Sequence, residues 1–341
     1  MPSRPPAAAL NLNHLYRMTD NTGLYQHATG ARPNPEFGYC LDDNARALTA
    51  AIRAHALTGE NGLLDYIRHY LAFVERCQRP DGRFRNFMAA DGTWLEALGS
   101  GDSHGRAAWG LGFAARYTAQ SEVRLRALRC LDGLLPHLAE FEHPRSQAFL
   151  LLGLRLWGEA EPQSPLTEPR GRLRRALAAG LQAHATADWP WFEPELTYCN
   201  ATLPHALLGE PEQDAALQAL AWLCGVMEVD GVMSLIGNQG FYPRGGRRAV
   251  YDQQPVDAQA TLAACLAAYS VGGDTRFQRW ARLAFGWFTG ANPNHLSLID
   301  QDSGGCADGL LENDVNANQG AESLLAWLLA QEDMLEAGLS Y

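Results

Sequence analysis

The chain has 341 residues, 47% hydrophobic and 19% charged, a balance that fits a globular protein with a large core. Its formal net charge is −11, and its Lys and Arg residues form no cluster interleaved with aromatics, which excludes a nucleic-acid groove from the expected functions. No stretch approaches the roughly 18 consecutive apolar residues that a membrane span needs, so a membrane is not an expected partner either.

The N-terminal stretch MPSRPPAAALNLNH has a single Arg, several prolines and no sustained apolar run, so it does not read as a signal peptide and a cytoplasmic location is expected. Seven cysteines (Cys40, Cys77, Cys130, Cys199, Cys224, Cys265 and Cys306) form an odd set without C-x-x-C spacing. They read as reduced, buried thiols, not as a disulfide framework or a zinc site.

Helical periodicity recurs from end to end, in two alternating classes. A short helical segment near 8–19 is followed by a nearly charge-free one near 42–57. Segment 61–78 then sets Leu63, Ile67, Tyr70, Leu71, Val74 and Cys77 on one side, with Asp65, Arg68, Glu75 and Arg76 around the rest. That is a helix with one wet face. The nearly uncharged class recurs near 104–118, 145–157, 197–208, 254–271 and 318–333, and the amphipathic class near 121–140, 170–186, 211–227 and 274–290.

A helix apolar all round must be covered on every side, whereas the helices of an open solenoid usually each expose a face. The alternation therefore predicts an all-α fold, a closed (α/α)6 toroid with six inner helices wrapped by outer ones, as one domain spanning 1–341.

Each inner segment opens on a polar cluster. In order these are Tyr39–Arg46, Gly101–Arg106, His143–Gln147, Trp191–Glu193 with Leu196–Asn200, Tyr251–Asp257, and Asn316–Ser323. One Asp, Asn or Ser per helix would be an ordinary cap. Three or four polar groups per helix, with Arg, His, Tyr and Gln among them, exceed what capping needs. If the inner helices run the same way, the clusters meet at one mouth. Connections leading there are aromatic: Arg83–Phe87 with Trp94, Trp189–Phe192, and the segment 237–246 with Tyr242 and Arg244. Aromatic faces among carboxylates, amides and arginines suit sugar rings, so an oligosaccharide or sugar is the expected partner.

Glycosidic cleavage needs one protonated and one ionised carboxyl group. Asp42 and Asp43 are adjacent at a helix N-terminus, where consecutive side chains can both face the mouth, and mutual repulsion helps hold one proton. Asp102, Glu193, Asp252, Asp257 and Glu322 are the other mouth carboxyls. The run from Asp300 starts like a calcium loop but has Gly304 and Leu311 where ligands belong, and there is no H-E-x-x-H. The Gly-Leu-Gly run at 110–112 lies within a helical segment, and Gly99-Ser100-Gly101-Asp102-Ser103 is no nucleophile elbow. No metal and no cofactor is expected.

The segment Leu41-Asp42-Asp43-Asn44-Ala45-Arg46-Ala47-Leu48 resembles the Asp-Asp segment of the bacterial α-1,6-mannanases, members of the six-hairpin glycosidase superfamily. In that family the consecutive aspartates are the catalytic pair, which the resemblance places at Asp42 and Asp43. The set LDDNAR, GDSHGRA, WFEPELTYCNA, IGNQGFYPRGG, YDQQPVDA and NANQGAES also resembles a group of bacterial proteins often fused to or found beside glycosyltransferases. That likeness implies sugar metabolism and a glycosyltransferase association.

The leading expectation is a glycoside hydrolase for a short, mannose-containing oligosaccharide. Asp43 is one catalytic carboxyl, Asp42 orients it or partners it, and Asp102, Glu193 and Asp252 are candidates for the second role. Asn44, Arg46, His104, Arg106, Trp191, Tyr198, Asn200, Tyr242, Arg244, Gln253, Gln254, Asn318, Gln319 and Glu322 are expected to bind substrate. One alternative is a sugar isomerase or epimerase of the N-acylglucosamine epimerase type, whose proton transfer calls for histidine, here His104 or His143. Another is a noncatalytic sugar-binding module serving a glycosyltransferase.

Overall fold

The computed structural model describes residues 10–339. Most of the stretch read against a signal peptide, the start of the segment at 8–19 and both ends of the span 1–341 thus lie outside the described residues. The inner helices are α2 (Leu41–Thr58), α4 (Gly101–Tyr117), α6 (Pro144–Ala160), α8 (Thr202–Leu207), α10 (Pro255–Gly272) and α12 (Ala321–Glu336). The outer ones are α3 (Leu63–Cys77), α5 (Ser121–Leu134), α7 (Thr167–His184), α9 (Gln213–Met227) and α11 (Thr275–Phe288). The short α1 (Asn13–Met18) packs on α12 and fills the twelfth place.

Each inner helix packs on the next, α2 on α4, α4 on α6, and so on to α12, which returns to α2. The ring is closed, as the apolar-all-round segments predict. α2 is buried from Asp43 to Ala54, while α3 buries Leu63, Ile67, Tyr70, Leu71, Phe73, Val74 and Cys77 and leaves its charged face wet. The closest crossing joins α4 and α6, where a methyl group at Gly112 would lie 2.4 Å from the Gly153 carbonyl oxygen. Only glycine lets the two backbones meet there.

The fourth inner helix departs from expectation. The segment near 197–208 is helical only over Thr202–Leu207. Glu195–Leu196 instead pairs as a strand with Tyr242–Pro243, and Cys199 adopts a left-handed φ of 46°. The turn at 197–200 is held by Asn200, whose Oδ1 accepts the Thr197 N–H and whose Nδ2 donates to the Thr197 carbonyl. A side chain that satisfies the backbone locally competes with helix.

All seven cysteines are free and buried. No helix among the described residues is long and apolar enough to cross a membrane.

Candidate functional site

The six inner-helix N-termini meet at one end of the ring, tied by a chain of side-chain contacts. Asp42 and Asp43 open the first turn of α2. Asn86, from the connection between α3 and α4, accepts the Asp42 N–H and donates weakly to Asp42 Oδ2. Asp102 of α4 accepts from Ser146 Oγ of α6 and from the Tyr198 hydroxyl before α8. Arg106 of α4 donates to Cys199 Sγ, and Asp257 of α10 accepts the Cys199 N–H at 2.6 Å. Arg46 of α2 reaches Glu322 of α12.

Capping accounts for few of these groups. Only Cys40 before α2 and Ser100 before α4 cap an inner helix with the side chain of the N-cap residue, while α6, α8, α10 and α12 have no such bond.

A cavity of about 310 Å³ opens at the α10–α12–α2 side of the mouth. Asp42, Asp43, Arg46, Asp252, Gln254, Asp308 and Glu322 line it, together with Gln26, His27, Phe87, Asn316 and Ser323. Burial pushes the Asp42 carboxyl up to about 6, against the pull of Arg106 and Arg46 and with the help of Asp43 and Asp102. Asp42 forms no salt bridge among the described residues, and its buried Oδ1 has no hydrogen-bond partner there.

Its neighbour is placed differently. Asp43 is 3% exposed, its Oδ1 takes Arg46 Nη2 at 2.6 Å and its Oδ2 takes the Cys40 thiol at 2.9 Å. Burial raises this carboxyl too, and Arg46 works against the rise. Glu322 sits deep in the mouth, yet 47% of its side chain is open to the cavity. Burial would raise it, but Arg46 and Arg106 together hold it below the usual carboxylate range. Asp252 is raised by burial and by the nearby Asp308, and its buried Oδ1 also lacks a hydrogen-bond partner.

Beneath this cavity the ring axis holds a chamber of about 50 Å³ with Arg46, Arg106, Cys199, Thr202, His205 and Gln259 on its wall. Arg106 lies over the Phe149 ring at 4.5 Å. Burial drives His205 down to about 3, so it is neutral there.

Of the expected site residues, Asp42, Asp43, Arg46, Asp252, Gln254 and Glu322 line one cavity, with Arg106 below it. Asp102 and Tyr198 form a hydrogen-bonded pair on the α4–α6–α8 side of the mouth, and His143 Nδ1 stands exposed 3.7 Å from Asp102. The remaining expected residues are engaged with protein groups. Glu193 spends both oxygens on Arg145 Nη1. His104 accepts the Phe84 N–H at Nε2 and donates from Nδ1 to the Ser100 carbonyl, so neither nitrogen is free for substrate or proton transfer. Asn44 binds the backbone of Leu24 and Cys40. Asn200 holds its own turn and accepts from Arg145.

Gln253 is fully buried among Leu235, Val250, Ser234 and Trp287. Gln319 is bonded to Ser303 and Asp300, and Asn318 to the Gly30 N–H. Arg244 clips its loop to the His184 carbonyl and Thr186. Trp191 packs in the core on Phe192 and Trp222, and Tyr242 packs edge-on to Trp189.

Gln26, His27 and Asp308 were not expected. Asp308 accepts the Gly320 N–H at 2.7 Å and the Ser323 hydroxyl, so it caps α12 from outside the local sequence. His27 packs edge-on to Phe37 at the cavity rim. All three lie in irregular connections with no periodicity. The only signal for Asp308 is that the N-cap of α12 is Gly320, which has no side chain to cap with. The calcium-like run is an internal turn, with Asp300 Oδ1 taking the Asp302 and Ser303 N–H groups and Oδ2 taking Gln319 Nε2. No group of three or more His, Cys, Asp or Glu among the described residues is placed to hold a metal ion.

No protein-family profile matches the chain, and no curated protein matches it in sequence. Solved structures do match in fold. A sugar epimerase from a ruminal bacterium superposes with a TM-score of 0.75 at 13% identity, covering 98% of both chains. A cellobiose 2-epimerase from Bacillus thermoamylovorans gives 0.73 at 11% identity over 95% of each chain. An α-1,6-mannanase from Salegentibacter sp., in an inactive variant with two consecutive aspartates replaced by alanine and bound to an α-1,6-linked mannotetraose, gives 0.69 at 11% identity over 97% of this chain and 98% of that one. The chain has the (α/α)6 toroid fold.

Proposed function

We propose that this protein is a glycoside hydrolase acting on a short, mannose-containing oligosaccharide, with Asp42 as the proton-donating carboxyl. The observation that carries this is the state of Asp42: raised to about 6, unpaired at Oδ1, and on the same cavity wall as Glu322, which arginine holds low. A general acid works best with a pKa near the operating pH. The likeness to a mannanase whose consecutive aspartates were replaced in an inactive variant supports placing the chemistry at Asp42 and Asp43.

Asp42 gives its proton to the glycosidic oxygen as the bond to the anomeric carbon breaks. The complementary role needs an ionised carboxylate with a path to the substrate. Glu322 is held charged and is half open, whereas both Asp43 oxygens are occupied. Glu322 therefore attacks the anomeric carbon or takes the proton of the water that does, and Asp43 fixes Arg46 between them. Reducing-end release from α-1,6-linked mannose oligomers, compared between wild type and Asp42→Asn, tests this. Full activity in the variant, or no release by the wild type, overturns it.

A second reading, a sugar epimerase, is favoured by His27 at the cavity and by the epimerase folds. It predicts a mass-neutral change in a free sugar, visible by NMR without any cleavage.

A further inference from the structure

Two elements wall the Asp42 cavity on its α10–α12 side, and both continue past it. One is the segment 247–254. Asp252 and Gln254 face the cavity, Gln253 is buried as a clamp, and Arg247 to Tyr251 run on outward. The other is the antiparallel pair Gly309–Leu310 with Val315–Asn316, which has Asp308 and Asn316 on the same cavity and its tip at 311–314 beyond. Reciprocal backbone bonds between Gln253 and Leu310, 3.0 and 2.8 Å, join the two elements. Past that seam they enclose an open groove of about 760 Å³.

The groove is rigidly walled. The Tyr251 hydroxyl donates to Asn294 Oδ1 at 2.7 Å, and Asn294 Nδ2 donates to the Leu311 carbonyl at 2.7 Å, so one amide ties both walls. Arg248 is bound to the carbonyls of Val226, Ser234 and Leu235. Arg247, Glu312 and Asn313 are exposed, and none makes a side-chain hydrogen bond among the described residues. The groove thus offers ready donors and acceptors on a fixed frame, which limits the ordering cost of binding a hydroxyl-rich ligand.

Charge narrows the ligand class. In the groove Arg247 and Arg248 balance Glu312 and Asp314, while in the adjoining cavity five carboxyls (Asp42, Asp43, Asp252, Asp308 and Glu322) outnumber Arg46. An anionic sugar would meet like charge at the point of cleavage.

We infer that this groove is a distal binding site for the uncharged sugar units of a chain longer than a disaccharide, one end of which enters the Asp42 cavity. The inference rests on the glycosidase reading, and the experiment separates the two. The probes are α-1,6-linked mannose dimers and tetramers and a tetragalacturonide, used with the wild-type protein, with Arg247→Ala/Asn313→Ala, and with Asp42→Asn for binding by calorimetry.

The tetramer is expected to exceed the dimer in kcat/KM by about tenfold, and the double variant to bring that ratio back near one, as the loss of one or two hydroxyl contacts requires. The Asp42→Asn protein is expected to bind the tetramer more tightly than the dimer and to show no heat with the tetragalacturonide. Equal kcat/KM for dimer and tetramer, an unchanged ratio in the double variant, or binding of the tetragalacturonide as tight as that of the tetramer overturns the groove assignment and leaves the glycosidase reading standing. Tight tetramer binding that depends on Arg247 and Asn313, without cleavage by the wild type, overturns the glycosidase reading and keeps the groove. Neither binding nor cleavage of any mannose oligomer overturns both.

Discussion

Arg46 Nη2 lies 2.6 Å from Asp43 Oδ1, one turn away on the same helix, and that same nitrogen reaches Glu322 Oε2 at 3.1 Å across the ring. One guanidinium thus serves two carboxylates and leaves the third, Asp42, without an arginine in contact. The balance differs accordingly: burial outweighs Arg46 at Asp43 and outweighs the non-contacting Arg106 and Arg46 at Asp42, while at Glu322 the arginines prevail.

Asp42→Asn removes the proton donor and keeps the shape. The expected loss in kcat is about 10²–10⁴-fold, the range of general acid catalysis. Circular dichroism and the thermal midpoint are expected to stay close to wild type, because Asp42 Oδ2 has only a long bond to Asn86 to lose. A fall in kcat of less than tenfold would remove Asp42 from the chemistry.

The pH profile carries the same assignment. With Asp42 raised to about 6, the active, protonated form is lost as pH rises through that value, and kcat/KM is expected to fall about tenfold per unit above it. On the acid side the limb belongs to Glu322, which Arg46 and Arg106 hold below the usual glutamate range near about 4.3. The maximum therefore lies on the acid side of neutrality. A profile flat from about pH 5 to pH 8 would contradict it.

Asp43 and Glu322 are separated by their contacts. Glu322→Gln is expected to lose activity as severely as Asp42→Asn with little change in stability, since its side chain is half open to the cavity. Asp43→Asn removes the charge of a buried ion pair and leaves Arg46 with Glu322 alone, which costs about 3–5 kcal/mol in stability. Urea unfolding together with kcat on the folded protein distinguishes them. If Asp43→Asn proves stable but inactive and Glu322→Gln stays active, the two residues exchange roles.

The toroid was legible because burial leaves a compositional trace: helices wet on no side alternate with helices wet on one. The position of Asp42 was legible for a related reason, since a pair of carboxylates in a first turn has few places to point. The amides were not. Gln253, Gln319, Asn44 and Asn200 look like sugar ligands in sequence, yet each folds back onto protein groups. A hydrogen-bonding side chain does not declare its partner, and for Gln253 two partners, Leu235 and Trp287, come from distant elements. Asp308 and His27 were missed for the converse reason, because their connections have no period and reach the cavity only through the closure of the ring.

His104 offers a direct test of a structural role. Its two nitrogens satisfy the Phe84 N–H at 2.9 Å and the Ser100 carbonyl at 2.7 Å in a fully buried setting. His104→Ala would leave a buried donor unpaired and open a small void, at a cost of about 2–4 kcal/mol. Hydrolysis by the folded protein is expected to stay within about twofold of wild type, too small a change for a proton-transfer base. Loss of turnover with unchanged stability would restore His104 to the site.

Asp257 gives a stability prediction independent of the substrate. Burial pushes its carboxyl up to about 7, whereas in the unfolded chain it titrates near about 3.9. Between those values the folded chain keeps a proton that the unfolded chain has released. The group's stabilising contribution is therefore full below about pH 3.9 and is lost as pH rises through about 7. Asp257→Asn keeps an oxygen to accept the Cys199 N–H, bound at 2.6 Å, and cannot ionise. Near pH 8 the variant is expected to be more stable than wild type by up to about 4 kcal/mol, and the gap should close toward about pH 4. Urea midpoints at three pH values read this out. A variant weaker than wild type by the same amount at every pH would show that the hydrogen bond, and not the charge, governs this position.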